Sequence, residues 1–187
     1  MESRASAMDS LRLARFHVEP MELLRAAALI AATMTTGMMA GAFALYAHSI
    51  MPGLGDTDDR TFVGAFQAID RAIINPWFMS MFVGALLLSG LSVALHLRDD
   101  ERSVLPWIAA ALVLYVVVLV VTIGVNVPLN DELKAAGDPD RIADLAAVRE
   151  RFDEDKWVRW NLARTAATTA AFGCLAWALV LHGRNTA

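Results

Sequence analysis

The chain has 187 residues, of which 57% are hydrophobic, 19% charged and 8% aromatic. A soluble domain carries about 45–50% apolar and about 25% charged residues, so both departures point to lipid and away from disorder. The net charge is −4 with no long basic run, which argues against a nucleic-acid partner, and the lone Cys174 excludes an internal disulfide, a CxxC redox pair and a cysteine-based zinc site.

Residues 1–22 are mixed and polar, with Arg4, Asp9, Arg12, Arg15 and Glu19, and are expected to form a tail. The folded domain is expected over 23–182, with 183–187 as a C-terminal tail. No Lys, Arg, Asp or Glu lies between Arg25 and Asp56, between Arg71 and Arg98, between Arg102 and Asp131, or between Arg164 and Arg184. Each gap exceeds the roughly 18 apolar residues of a membrane-span candidate. A charge at mid-bilayer costs about 2.5–3.5 kcal/mol even on the mild insertion scale, so four such gaps are not accidental. Spans are predicted near Leu23–Tyr46, Pro76–Leu97, Pro106–Val125 and Ala163–Leu181. They are helices, because lipid offers no partner for open backbone and four short strands cannot close a barrel. A soluble bundle is the competing fold. It fails on 105–121, which is apolar around its whole circumference in a chain too short to bury it.

The connections are unequal. Span two joins span three by the short charged turn 98–103, whereas the other two connections run about 30 residues each, long enough to require structure of their own. In the first, Phe62, Phe66, Ile69 and Ile73 recur at helical spacing. In the second, Asp138-Pro139 reads as a cap and first-turn pair, and Ile142, Leu145, Val148 and Phe152 form an apolar stripe. The predicted fold is therefore all-α: a transmembrane four-helix bundle whose two long loops carry amphipathic helices on one membrane face. Arginine density at the N-terminus, short turn and C-terminus favours both termini in the cytoplasm, with a bacterial inner membrane as the expected location.

Alternating spans bring the unusual residues to the face that receives both long loops. Span one ends with Tyr46 and His48, and span two begins at Asn75-Pro76-Trp77. Span three ends with Asn126-Val127-Pro128-Leu129-Asn130, and span four opens with Trp157, Trp160, Asn161 and Arg164. The first loop adds Gln67, Asp70 and Arg71. Polar groups at this depth are costly unless partnered, so the cluster is a candidate site.

Each member also has a plain structural role. Asn75 before Pro76 is a good N-cap, Asn130 before Asp131 can cap a following helix, and Pro128 can end span three. Trp77, Trp107, Trp157 and Trp160 fit an aromatic belt, and Arg164 can snorkel. The case for a site rests on their convergence. Elsewhere, Gly37 and Gly41 are a helix-packing signal, and Met34, Met38 and Met39 fill gaps rather than bind copper. His96 and His182 share one end and are expected at the interface rather than as haem ligands. No metal site and no cofactor is expected.

The polar face resembles the anthrone-oxygenase-like family of small four-helix membrane proteins. The likeness is carried by Met51-Pro52-Gly53-Leu54, by the stretch from Gln67 to Pro76, by Asn126-Val127-Pro128-Leu129-Asn130, and by Trp157 with the stretch from Arg159 to Arg164. The family pattern has asparagine before the loop-helix arginine, whereas this chain has Asp70 before Arg71. Either the site has gained a carboxylate, or that position is not chemical.

The resemblance implies oxidation of an anthrone-like phenol to a quinone, without flavin or metal. The partners implied are membrane lipid and a lipophilic aromatic small molecule. His48 or Asp70 is the candidate base. Arg164 with Asn126, Asn130 and Asn161 would donate to an oxyanion, and Tyr46, Trp77 and Trp160 would stack on rings. Gln67, Arg71 and Asn75 complete the candidate substrate contacts. Two alternatives stay open: a non-catalytic membrane module locked by these polar residues, and a binder of a quinone or lipid.

Overall fold

The computed structural model describes residues 2–97 and 103–185, with side chains from residue 20 onward. It contains α1 (Glu2–Leu45), a π turn (Tyr46–Ile50), α2 (Met51–Gly55), α3 (Asp59–Ile73), α4 (Pro76–His96) and α5 (Leu105–Val121). A second π turn (Thr122–Asn126) leads into α6 (Val127–Ala135), a 3-10 turn (Pro139–Arg141), α7 (Leu145–Phe152) and α8 (Glu154–Asn185). Four stretches have the length and apolarity of membrane spans: Pro20–Gly55, Pro76–His96, Leu105–Ala135 and Leu145–Asn185.

Around the bundle, α1 packs on α4, α4 on α5, α5 on α8 and α8 on α1. The interior is built from small residues. Ala32, Ala111, Ala171 and Ala178 are fully enclosed beside Leu29, Ile108 and Leu175. Small residues let helices approach closely where lipid supplies no hydrophobic drive. Gly37 serves this purpose, since a Cβ there would lie 2.9 Å from the Phe172 ring, whereas Gly41 faces open space. Val113, Val117, Val120 and Leu87 point outward, as a lipid-facing surface requires.

The two long loops fold over one end of the bundle. Asp58 caps α3 by accepting from the Thr61 amide, and the Thr61 hydroxyl adds a second bond. Those bonds hold the Asp58 carboxyl below the usual carboxylate range. Asn75 caps α4 through the Phe78 amide with Pro76 at the first helical position, and Asp138 caps the 3-10 turn. The predicted stripes then meet: Phe62, Phe66, Leu133, Val148, Phe152 and Trp157 form one buried cluster. Burying each such aromatic contributes about 1.5–3 kcal/mol, which fastens the cap to the bundle.

Several expectations change. The backbone of residues 2–19 continues α1 as a helix, consistent with a stretch that has neither Gly nor Pro. Helix α8 likewise runs on to Asn185. Pro128 does not end span three. The helix passes it by widening into a π turn immediately upstream, and Pro52 follows the other π turn in the same register. A proline lacks an N–H and crowds the carbonyl four residues earlier, and a wider turn relieves both. Asn130 lies inside α6 and caps nothing. Trp157 is 3% exposed and belongs to the core, not to a belt. His96 and His182 are 1% and 7% exposed, so they are buried rather than interfacial. Their rings meet edge to face at 5.6 Å, and His96 Nδ1 lies 2.7 Å from the Ser92 carbonyl oxygen. Most of the short charged turn, 98–102, lies outside the described residues.

Candidate active site

A cavity of about 340 Å³ opens between the folded loops and the bundle. Such a volume suits a ligand of a few fused rings. The end of α1, α3, the start of α4, the second π turn with α6, and α8 all contribute to its walls.

Its deep end is set by Arg164, which is 6% exposed. The Arg164 Nη2 donates to Asn161 Oδ1 at 2.9 Å, and Nη1 donates to Thr122 Oγ1 at 3.3 Å. The guanidinium lies over the Phe43 ring at 4.6 Å and over the Trp157 ring at 5.4 Å. Among the described residues no carboxylate lies within ion-pair distance of it. A cation held this deep without an anion is costly and marks a functional position by default. Its Nε has no hydrogen-bond partner, nor has Asn126 Oδ1. Asn126 is 1% exposed and is held by its Nδ2, which donates to the Trp157 carbonyl at 3.3 Å. Asn161 is fully buried, and its Nδ2 donates to the Phe43 carbonyl at 3.1 Å, tying α8 to α1 just before the first π turn.

A second polar group occupies the wall made by α3 and α6. Asp70 accepts from Asn130 Nδ2 at 2.7 Å and pairs with Lys134 Nζ at 3.1 Å. Asn130 Oδ1 in turn accepts from Trp157 Nε1 at 2.7 Å. The Trp157 ring stands against Tyr46 at 5.7 Å and against Phe66, edge-on, at 5.7 Å. A continuous chain therefore runs from Lys134 through Asp70 and Asn130 to the indole beside Arg164. The remaining walls are largely apolar, with Phe43, Phe78, Phe82, Ile69 and Ile73, and Asp131 also lines the space. Ile74 and Ile123, also on the cavity wall, are each 61% exposed.

Of the residues expected from the sequence, Tyr46, Asp70, Asn126, Asn130 and Arg164 line this cavity. Asn161 sits one bond behind it, holding Arg164. Others lie elsewhere. His48 is exposed in the first π turn, and Arg71 is exposed on α3. Trp77 is 81% exposed and Trp160 41% exposed, neither on the cavity wall. Asn75 is engaged as the α4 cap. Gln67 is buried but donates to the carbonyls of Leu133 and Gly137, clamping α3 to the end of α6. The sequence reading did not select Lys134, Thr122, Phe43 or Phe66. The only signal for Lys134 was its place one turn after Asn130 on the same short helix. Thr122 carried none, because a π turn leaves no simple residue signature.

The arrangement joins a buried carboxylate, a buried unpaired cation and aromatic walls around one apolar space. It can take a proton from a lipophilic acid and stabilise the anion that remains. Both π turns feed it, through Tyr46 in one and through Thr122 and Asn126 in the other, as π turns in helices frequently do at functional sites. The family model described as anthrone oxygenase matches residues 77–174, a stretch that includes Asn126, Asn130, Lys134, Trp157, Asn161 and Arg164. No curated protein and no solved structure matches the chain.

Proposed function

The chain belongs to the anthrone oxygenase family, and from that premise we propose that it is a membrane-embedded oxygenase turning an anthrone-like phenol into a quinone. The observation that carries this reading is the buried Arg164 guanidinium, with no carboxylate beside it among the described residues, set in an apolar aromatic cavity that also holds Asp70. An anion arising in the reaction is the natural occupant of that position.

The Asp70 carboxylate takes a proton from the acidic ring methylene. The carbanion spreads over the rings and onto the carbonyl oxygen, where the Arg164 guanidinium stabilises it. It gives one electron to dioxygen, and the resulting radical and superoxide combine to form a carbon–oxygen bond. The peroxide anion takes the proton back from Asp70. Loss of the second methylene proton breaks the oxygen–oxygen bond and expels hydroxide, which leaves with that proton as water. One oxygen atom ends in the quinone and one in water. The substrate itself is the reductant, so the proposed mechanism calls for no flavin or metal.

Asp70 is the better base than His48, because it lines the cavity and His48 does not. Tyr46, Phe43 and Trp157 stack on the substrate rings. The exposed Ile74 and Ile123 on the cavity wall fit entry of a lipophilic substrate sideways from the bilayer. We place the site at the outer leaflet of a bacterial inner membrane, with both termini cytoplasmic.

The test is purified protein with emodin anthrone under air, followed by quinone absorbance. A rate above buffer that is lost in Arg164→Ala supports the reading, and a rate equal to buffer overturns it. The apolar walls also favour a second reading, a binder of a quinone or lipid. That reading gains if native mass spectrometry of gently extracted protein finds a retained ligand while anthrone is left untouched.

A further inference from the structure

The Asp70 side chain is 7% exposed, on a cavity wall that also carries Lys134 and the exposed Asp131. During oxidation the proton on Asp70 returns to the peroxide, but a base so buried still needs a path to water by which its protonation is reset between turnovers. Resting on the reading of Asp70 as the base, we infer that Lys134 and Asp131 form that path. The Lys134 ammonium lies 3.1 Å from Asp70 Oδ2 and 2.8 Å from Asp131 Oδ1. Side-chain exposure rises along the series, from 7% at Asp70 through 30% at Lys134 to 60% at Asp131. The three groups thus run along one cavity wall from its buried side to its exposed edge, each at ion-pair distance from the next.

The geometry suits a relay. When Asp70 carries the substrate proton, Lys134 passes one of its own protons to Asp131 and takes the one from Asp70. Asp131 then releases its proton to water. Charge and proton number balance at each step, and the reverse sequence loads Asp70 from water. Lys134 touches neither the reacting carbon nor dioxygen in this scheme. It is a positioning and proton-transfer residue that works through Asp70.

Isotope exchange separates this role from a structural ion pair. Without dioxygen, the full-length protein in deuterated buffer takes a methylene proton from emodin anthrone, exchanges it through the relay and returns deuterium. Mass spectrometry of the recovered anthrone reads that exchange above the buffer rate, and quinone absorbance under air reads oxidation for the same preparation. Lys134→Met and Asp131→Asn should each lower the ratio of exchange to oxidation about tenfold or more. Lys134→Arg keeps the ion pair but releases its proton far less readily, so it should also lose exchange. Asp131→Asn changes an exposed side chain, so a fold defect in the other variants leaves the test intact. An unchanged ratio in all folded variants overturns the relay while leaving Asp70 as the base. Oxidation without any exchange in the unaltered protein also overturns it. Neither exchange nor oxidation in the unaltered protein overturns the Asp70 reading itself, and the relay with it.

Discussion

Asn161 holds two distant parts of the molecule at once: its Oδ1 accepts from Arg164 Nη2 at 2.9 Å, and its Nδ2 donates to the Phe43 carbonyl at 3.1 Å. Helix α8 is thereby joined to α1, and the guanidinium is held over the Phe43 ring at 4.6 Å. Replacing Asn161 by alanine strips both partners in a fully buried site. An average side-chain hydrogen bond within a membrane bundle is worth about 0.6 kcal/mol. Leaving buried groups unpaired costs about 1–3 kcal/mol, and that larger effect decides here. Asn161→Ala should therefore melt at distinctly lower temperature in detergent. Asn161→Asp gives up the donor to the Phe43 carbonyl and should also melt lower, and the protein that folds should lose oxidation, because a carboxylate there neutralises Arg164. Equal activity in Asn161→Asp would remove the anion-binding role of the guanidinium.

Asp70→Asn preserves size and can still bond Asn130, but it removes the base. A general base contributes about 10²–10⁴-fold, so the oxidation rate should fall within that range while melting changes little. Steady-state kinetics beside a thermal melt makes the comparison.

His48 supplies the control. It is exposed in the first π turn and lies off the cavity wall. His48→Ala should retain oxidation within about twofold, since surface changes away from such sites leave structure and energetics nearly unaltered. A loss as large as that of Asp70→Asn would transfer the base to His48.

Pro128 tests whether the second π turn matters. Proline inside a helix costs about 3 kcal/mol, so Pro128→Ala should raise stability. If the π turn then tightens to an ordinary helix, the side chains upstream rotate by about 100° per residue of register, and Asn126 and Thr122 leave their places beside Arg164. The expected result is a higher melting temperature with weaker oxidation. Gains in both would dissociate the turn from the site.

Rim access gives the last prediction. Ile123 is 61% exposed at the edge of the cavity. Ile123→Trp should raise KM more than it lowers kcat, because a bulky ring hinders entry without touching the carboxylate or the guanidinium. A fall confined to kcat would place the entrance elsewhere.

Charge gaps fixed the spans, since lipid penalises each stray charge by kilocalories and only a helix satisfies its own backbone there. Local spacing was equally direct. The Asn75-Pro76 cap, the Asp138-Pro139 turn and the Phe62–Phe66 and Val148–Phe152 stripes depend on neighbours within a turn or two, and they can be read along the chain. Of the residues singled out along the chain, Tyr46, Asp70, Asn126, Asn130 and Arg164 line the cavity, while His48, Arg71, Trp77 and Trp160 do not. Gln67 and Asp70 sit one turn apart on α3, and one clamps backbone carbonyls while the other lines the cavity. Trp157 and Trp160 share a helix, and only the first turns inward. Which member faces the space depends on the rotation of each helix about its axis, and that rotation is set by packing against partners far away in sequence. The two π turns shift that rotation at the site itself, so the meeting of Asp70 with Lys134 and of Arg164 with Asn161 and Thr122 was decided only in the folded protein.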